Sequence, residues 1–319
     1  MMKTTISKDI DLADAKAGYD TACKQILSNR VVLAWILKSC VDEYRDCSIQ
    51  DIAEKYILKS PSVARTPVHG DDPQSKLDGR IVGERNEDVS MKESTVTFDI
   101  RFPALLPHSM EPAEMIINLE AQRKYHPGYP LTKRGFYYIC RLISSQRGTV
   151  FTGEAYEKIQ KVYSIWICLD PPVHRQNSIT KYAVKEEPVV GSCHENPENY
   201  DLMTLIMICL GNPEMAGADI LQMLDVLLSG SIQPKEKKDI LESKFRIPMT
   251  RKMEGEAEKM CNLSDAIEEK AMEKGEKKRS LESIRNLMKN LNLSLDAAME
   301  ALGLPEDERP EYRELLKGC

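Results

Sequence analysis

Three observations predict a mixed α/β fold, a small sheet flanked by helices and followed by an α-helical C-terminal tail. Two short runs alternate between an apolar and a more polar set of residues. In one, Val96, Phe98, Ile100 and Phe102 interleave with Thr95, Thr97, Asp99 and Arg101; in the other, Met115, Ile117 and Leu119 interleave with Ile116, Asn118, Glu120 and Gln122. Strand side chains alternate between faces, so each run has one apolar and one more polar face. A third run, Val162–Leu169 (VYSIWICL), is mostly aliphatic and aromatic and is closed by Asp170-Pro171-Pro172, as a buried strand would be. After about residue 233 the texture changes: 251–290 carries ten Lys or Arg against nine Asp or Glu with few large apolar residues, the pattern of a solvated helix or a flexible helical arm.

The elements follow in order. Residues 1–26 are polar and predict a lead-in rather than a core element. Leu27–Tyr44 predicts an amphipathic helix, with Val31, Leu33, Trp35, Ile36, Leu37, Cys40 and Val41 crowding one side. Ser48 opens a second short helix, with Asp51 placed as in a capping box. Residues 59–79 are rich in Pro, Gly, Asp and Ser and predict loop, and a strand is expected near Arg80–Glu84. After the two alternating runs, the breaker stretch His126-Pro-Gly-Tyr-Pro130 precedes a predicted helix over Lys133–Gln146, and a further helix is expected over Glu154–Gln160. Ile179–Val184 alternates like an edge strand. Asp201–Leu210 fits a strand or a buried helix, and Ile220–Leu228 a helix. Near the end, Ser294 can cap a helix through Leu302, stopped at Gly303 with Pro305 beyond, and a last helix is expected over Pro310–Lys317. The division this predicts is a lead-in at 1–26, a globular domain at 27–232 and a charged helical region at 233–319, the last a candidate for homo-oligomer contacts.

The chain has 319 residues, 42% of them hydrophobic and 29% charged, the balance of an ordinary globular protein. A net charge of −6 argues against a non-specific nucleic-acid binder with a basic footprint over its whole surface, while leaving room for a local basic channel. Nine cysteines at irregular spacing, without a C-x-x-C pair or an N-terminal apolar segment, predict a reducing, cytoplasmic setting. Five scattered histidines argue against structural zinc, and no apolar run is long enough for a bilayer, so no membrane partner is expected. Cys140 and Cys168 sit among apolar neighbours, which predicts burial and packing roles for both.

If the two alternating runs pair as a hairpin, Asp99 and Glu120 bring two carboxylates to one spot and Gln122 adds an amide. Oxygen ligands of this kind suit a hard divalent cation, Mg²⁺ with Mn²⁺ as a substitute, beside a scissile phosphate. Asp99 and Glu120 can supply the carboxylates and the Ala121 backbone carbonyl a third oxygen. The Gln122 amide can hold a water or a phosphate oxygen but cannot act as a base.

Together with the strand order, these residues resemble the PD-(D/E)XK nuclease superfamily, whose restriction-endonuclease-like core runs α-β-β-β-α-β with an Asp on one strand and Glu-x-Lys on the next. The branch it looks most like is the recombination-promoting nuclease or transposase branch, in which Gln stands where the wider superfamily has Lys. The residues that carry the resemblance are Asp99, then Glu120-Ala121-Gln122, then Arg134 and Tyr138 on the following helix. It spans roughly residues 25–230. It implies a magnesium-dependent DNA endonuclease of mobile-element type, with Glu43 on the first helix and Glu87 in the polar run 83–88 as accessory acids. Arg134 then serves either as a phosphate clamp or as an ion-pair partner of Glu120 or Asp99, and Tyr138 as a packed aromatic with its hydroxyl satisfied. Lys124, Lys133 and Arg141 are candidates to line a DNA groove, and His126 is a candidate general base. A catalytically degenerate fold acting as a binding or regulatory module is the alternative that Gln122 and the acidic net charge leave open.

Overall fold

A computed structural model describes residues 5–58, 62–68, 96–107, 110, 112–120, 129–212, 217–306 and 308–316. The fold is mixed α/β, as the sequence predicts. Two helices lead: α1 (Thr5–Leu27) and α2 (Arg30–Cys40). Asn29 separates them because its side-chain oxygen accepts from the amides of Val31 (2.9 Å) and Val32 (3.4 Å), satisfying two of the donors a helix start leaves open. The expected single helix over 27–44 is therefore a helix end, a cap and a new helix. The stretch expected to be a polar lead-in is helical, and Ala22, Cys23, Ile26 and Leu27 are in the core. Ser48 caps the short α3 (Ile49–Asp51) through the Asp51 amide at 3.0 Å, and one wide turn, Ile52–Tyr56, continues it.

Six strands form one sheet in the order β1-β2-β3-β4-β6-β5, with ranges β1 Ser62–Val68, β2 Val96–Leu105, β3 Pro112–Glu120, β4 Val162–Cys168, β5 Ser178–Ala183 and β6 Met203–Cys209. The two alternating runs do pair as an antiparallel hairpin, Ile100 opposite Ile117 and Phe102 opposite Met115. β3, β4 and β6 run parallel, β3 reaching β4 through α4 (Leu131–Ser145). β1 occupies a stretch expected to be loop, and the strand expected near 80–84 lies outside the described residues. The expected helix over 154–160 is only a single 3₁₀ turn, Tyr156–Lys158, and β6 resolves the strand-or-helix choice at 201–210 in favour of strand. β5 is the edge strand the alternation predicted.

The central strands β4 and β6 sort their side chains by parity. Tyr163, Ile165, Ile167, Ile206, Ile208 and Leu210 face a large aliphatic core with α2 and with α5 (Asp219–Leu228). α6 (Pro234–Phe245) and α7 (Arg251–Leu291) add Leu241, Phe245, Met253, Ala257 and Met260 to that core. Val162, Trp166, Cys168, Leu205, Met207 and Cys209 face the opposite way, toward α4. α4 presents Leu131, Tyr138, Ile139 and Leu142 to them, so its amphipathic spacing follows from its single buried side.

The chain divides into two compact units. One is Gly18–Cys261 and holds the sheet; the other combines residues 1–17 with 262–319. In the second, Ile284 packs with Ala298 and Met299 of α8 (Leu295–Ala301) and Tyr312 of α9 (Arg309–Leu316). Ser294 caps α8 through the Ala297 amide at 3.3 Å, and Gly303 takes a left-handed φ of 66° just past its end, as the sequence predicts. Among the described residues, no helix is long and apolar enough to cross a membrane.

Candidate functional site: the α4 face at the carboxyl ends of the parallel strands

Asp99 lies in β2, and Glu120 is the last residue of β3. Ile100 and Ile117 are direct partners, and Ile100 is in the aliphatic core. Asp99 precedes Ile100 by one and Glu120 follows Ile117 by three, so alternation assigns both positions to the other face, the one α4 covers. The register of β3 on β4 agrees: Asn118 is the partner of Trp166 and Glu120 of Cys168, both buried on the α4 face. The side chains of Asp99 and Glu120, and all of Glu87, Ala121, Gln122, Lys124 and His126, lie outside the described residues. Among the described residues, no group of three or more His, Cys, Asp or Glu side chains is arranged to hold a metal.

Arg134 and Tyr138 are brought to this same face. They stand one turn apart on α4, and the Arg134 Nε donates to the Tyr138 hydroxyl at 2.8 Å while Nη1 donates to the Tyr129 hydroxyl at 3.0 Å. The guanidinium carbon lies 5.1 Å from the Tyr138 ring centre, 5.6 Å from that of Trp166 and 5.9 Å from that of Tyr129. Three rings thus hold one cation in a fixed pose by cation–π attraction and hydrogen bonding. Trp166 is itself pinned, its Nε1 donating to the buried Ser164 hydroxyl at 2.9 Å. α4 can come this close because residue 135 is glycine: a Cβ there would stand 2.6 Å from Leu205 Cδ1 and 3.2 Å from Trp166 Nε1. Tyr138 is buried with its hydroxyl satisfied, as expected. Lys133 is exposed on α4 and Arg141 is half-buried.

Glu43 is placed elsewhere. It accepts from the Tyr163 hydroxyl and from Lys161 Nζ at 3.0 Å, and Lys161 also reaches Asp201 at 2.5 Å. Tyr163 belongs to the aliphatic face and sits five residues before Cys168, roughly 16 Å along β4. Burial alone would raise the Glu43 pKa, but the Tyr163 hydroxyl and the Lys161 ammonium outweigh it and hold the carboxyl below its usual range. Glu43 therefore ties the turn after α2 to the start of β4 and is not grouped with Arg134.

Cys140 is exposed rather than buried, because it falls on the outward side of α4 between Ile139 and Leu142, which point in. Cys168 is buried as expected, but it is not alone: its direct partner on β6 is Cys209, whose own partner on β5 is Ser178. The repeated Ile-Cys-Leu at 167–169 and 208–210 is the only trace of this row in the sequence. Compared with protein-family models, curated proteins and solved structures, the chain matches none of them.

Proposed function

We propose that the chain is a magnesium-dependent DNA endonuclease of the mobile-element or recombination type. The observation that carries this reading is the hairpin register. Counted by strand alternation from Ile100 and Ile117, positions 99 and 120 fall on the α4 side, which supports grouping them with the caged Arg134. The element order, helices, then β1-β2-β3, then α4 and β4, is the one the PD-(D/E)XK resemblance implies, and it supports the reading further.

The donor set fits Mg²⁺ by its chemistry, since two carboxylates and the Ala121 carbonyl are all hard oxygen ligands. When bound, such an ion supplies Lewis acidity at a phosphate oxygen and a water more acidic than bulk. The chain's own residues do the rest. Gln122 offers an amide to orient a water or a phosphate oxygen. Arg134 presents a permanent positive charge whose direction the three rings fix before DNA arrives, so little side-chain entropy is lost on binding.

The test is cleavage of supercoiled plasmid with Mg²⁺ or Mn²⁺. Asp99→Ala and Glu120→Ala are each expected to lower the rate at least 100-fold with an unchanged circular dichroism spectrum, about the effect of removing one charge-stabilising group. Equal cleavage by Glu120→Ala overturns the proposal. The competing reading, a degenerate fold retained for binding, is favoured by Gln122 in place of a lysine and by the net charge of −6. It predicts no Mn²⁺ binding dependent on Asp99 and Glu120 in a calorimetric titration.

A further inference from the structure

We propose that Cys168 and Cys209 form a cross-strand dithiol that a peroxide closes to a reversible disulfide. The proposal stands on backbone register and does not depend on the nuclease reading. Cys168 and Cys209 are direct partners on the adjacent parallel strands β4 and β6. Neighbouring strands lie about 4.8 Å apart, and disulfides span Cα separations of about 4.4–6.8 Å, so no strand has to move far to bridge them. Both side chains are buried in the same cluster beneath α4. Both also stand at the last position of their strands, where the Leu210 amide still binds the Cys168 carbonyl at 3.0 Å. A bridge at strand ends strains fewer ladder hydrogen bonds than one at mid-strand.

The surroundings separate this pair from the buried Cys23 and Cys40. The Cys168 thiol hydrogen-bonds to Cys209 and lowers its pKa; burial opposes this, while the Arg175 guanidinium and the Ser178 hydroxyl reinforce it. Cys23 and Cys40 lie in the aliphatic core, where burial pushes each thiol up to about 12. A thiolate is the nucleophile in thiol oxidation, so Cys209 is the group that attacks and Cys168 the one that resolves. In the first step the Cys209 thiolate attacks one oxygen of hydrogen peroxide. The O–O bond breaks, and the hydroxide released takes a proton and leaves as water, giving a sulfenic acid. In the second the Cys168 sulfur displaces the sulfenic oxygen, which leaves as water with the Cys168 proton. Two thiols are oxidised by two electrons, and one peroxide is reduced to two waters.

The experiment uses the full chain. It is treated with hydrogen peroxide, alkylated, digested and mapped by mass spectrometry before and after a dithiol reductant. The exposed Cys140 and Cys193 serve as internal references. The expected result is a crosslinked Cys168–Cys209 peptide pair, short by two hydrogens and restored by the reductant. In Cys168→Ser, Cys209 is expected to accumulate a sulfenic acid that a dimedone-type nucleophile traps, with the fold checked by circular dichroism. Recovery of both Cys168 and Cys209 as free thiols, at a peroxide dose that oxidises Cys140 and Cys193, overturns the proposal. So does a bridge from either one to a different cysteine.

Discussion

The two faces of the sheet are built to different ends. One is aliphatic and thickly covered: Ile165, Ile167, Ile206 and Ile208 lie under α2 and α5 with side chains that have no chemistry to offer. The other is covered on the central strands by α4, and its buried set includes an indole, a tyrosine and two thiols, with an arginine at its border. Alternation along β4 writes both programmes into seven residues. Tyr163, Ile165 and Ile167 face the larger core; Trp166 and Cys168 face α4. The difference teaches that a strand buried on both faces is not merely core. The face where a guanidinium, an indole and two neighbouring thiols gather is where function is to be sought.

The largest expected effect falls on the aliphatic face. Ile165→Ala removes a fully buried side chain and is expected to cost about 3–4 kcal/mol in urea denaturation, with the secondary structure of the folded state unchanged. Arg134→Ala is expected to cost only about 1–2 kcal/mol, since it removes two hydrogen bonds and a set of cation–π contacts at a partly exposed residue. If the proposed nuclease reading holds, it also weakens DNA binding at least about tenfold in a fluorescence-anisotropy titration. Equal stability losses for the two variants would erase the contrast between the faces.

A smaller effect sharpens it from the other side. Asp225, on α5, has a buried Oδ2 without a hydrogen-bond partner among the described residues. Burial raises its carboxyl to about 6 against the pull of the Gly211 amide. A raised carboxyl pKa contributes stability that is fully present below the unfolded value near 4 and is lost as pH rises through about 6. Asp225→Asn is therefore expected to stabilise the protein by about 1 kcal/mol at pH 8, after discounting for solvent screening, and to change little at pH 4. A destabilised variant at pH 8 would show that the aliphatic side tolerates this charge after all.

Much of the layout was legible because its signals are local. β4 declares itself by an unbroken apolar run and α8 by a serine cap and a terminal glycine. β1 escaped because Ser62-Val-Ala-Arg-Thr-Pro-Val carries a proline and an arginine, residues that edge strands tolerate, and because its pairing with β2 slips between Val63 and Thr66. The helical character of α1 escaped because its buried stripe is narrow and made partly of small residues, Ala22 and Cys23 among them. At the candidate site, residue types were readable but register was not. Beyond the repeated Ile-Cys-Leu, the sequence does not say that residue 168 lies beside 209, or that Trp166 lies beside Asn118, because strand partnership is settled by the whole sheet. Glu43 shows the converse, since an acid at a plausible place in the chain order was claimed by a lysine and a tyrosine at the far end of β4.

The interleaved division of the chain has a consequence for its birth. Residues 1–17 share a compact unit with residues 262–319, and the entire sheet-bearing unit is encoded between them. At a translation speed of roughly 5–20 residues per second, residues 1–17 are made roughly 10–50 s before residues 262–319. Through that interval residues 1–17 wait for the segment that completes their unit, so this unit closes only after the sheet-bearing one has been made.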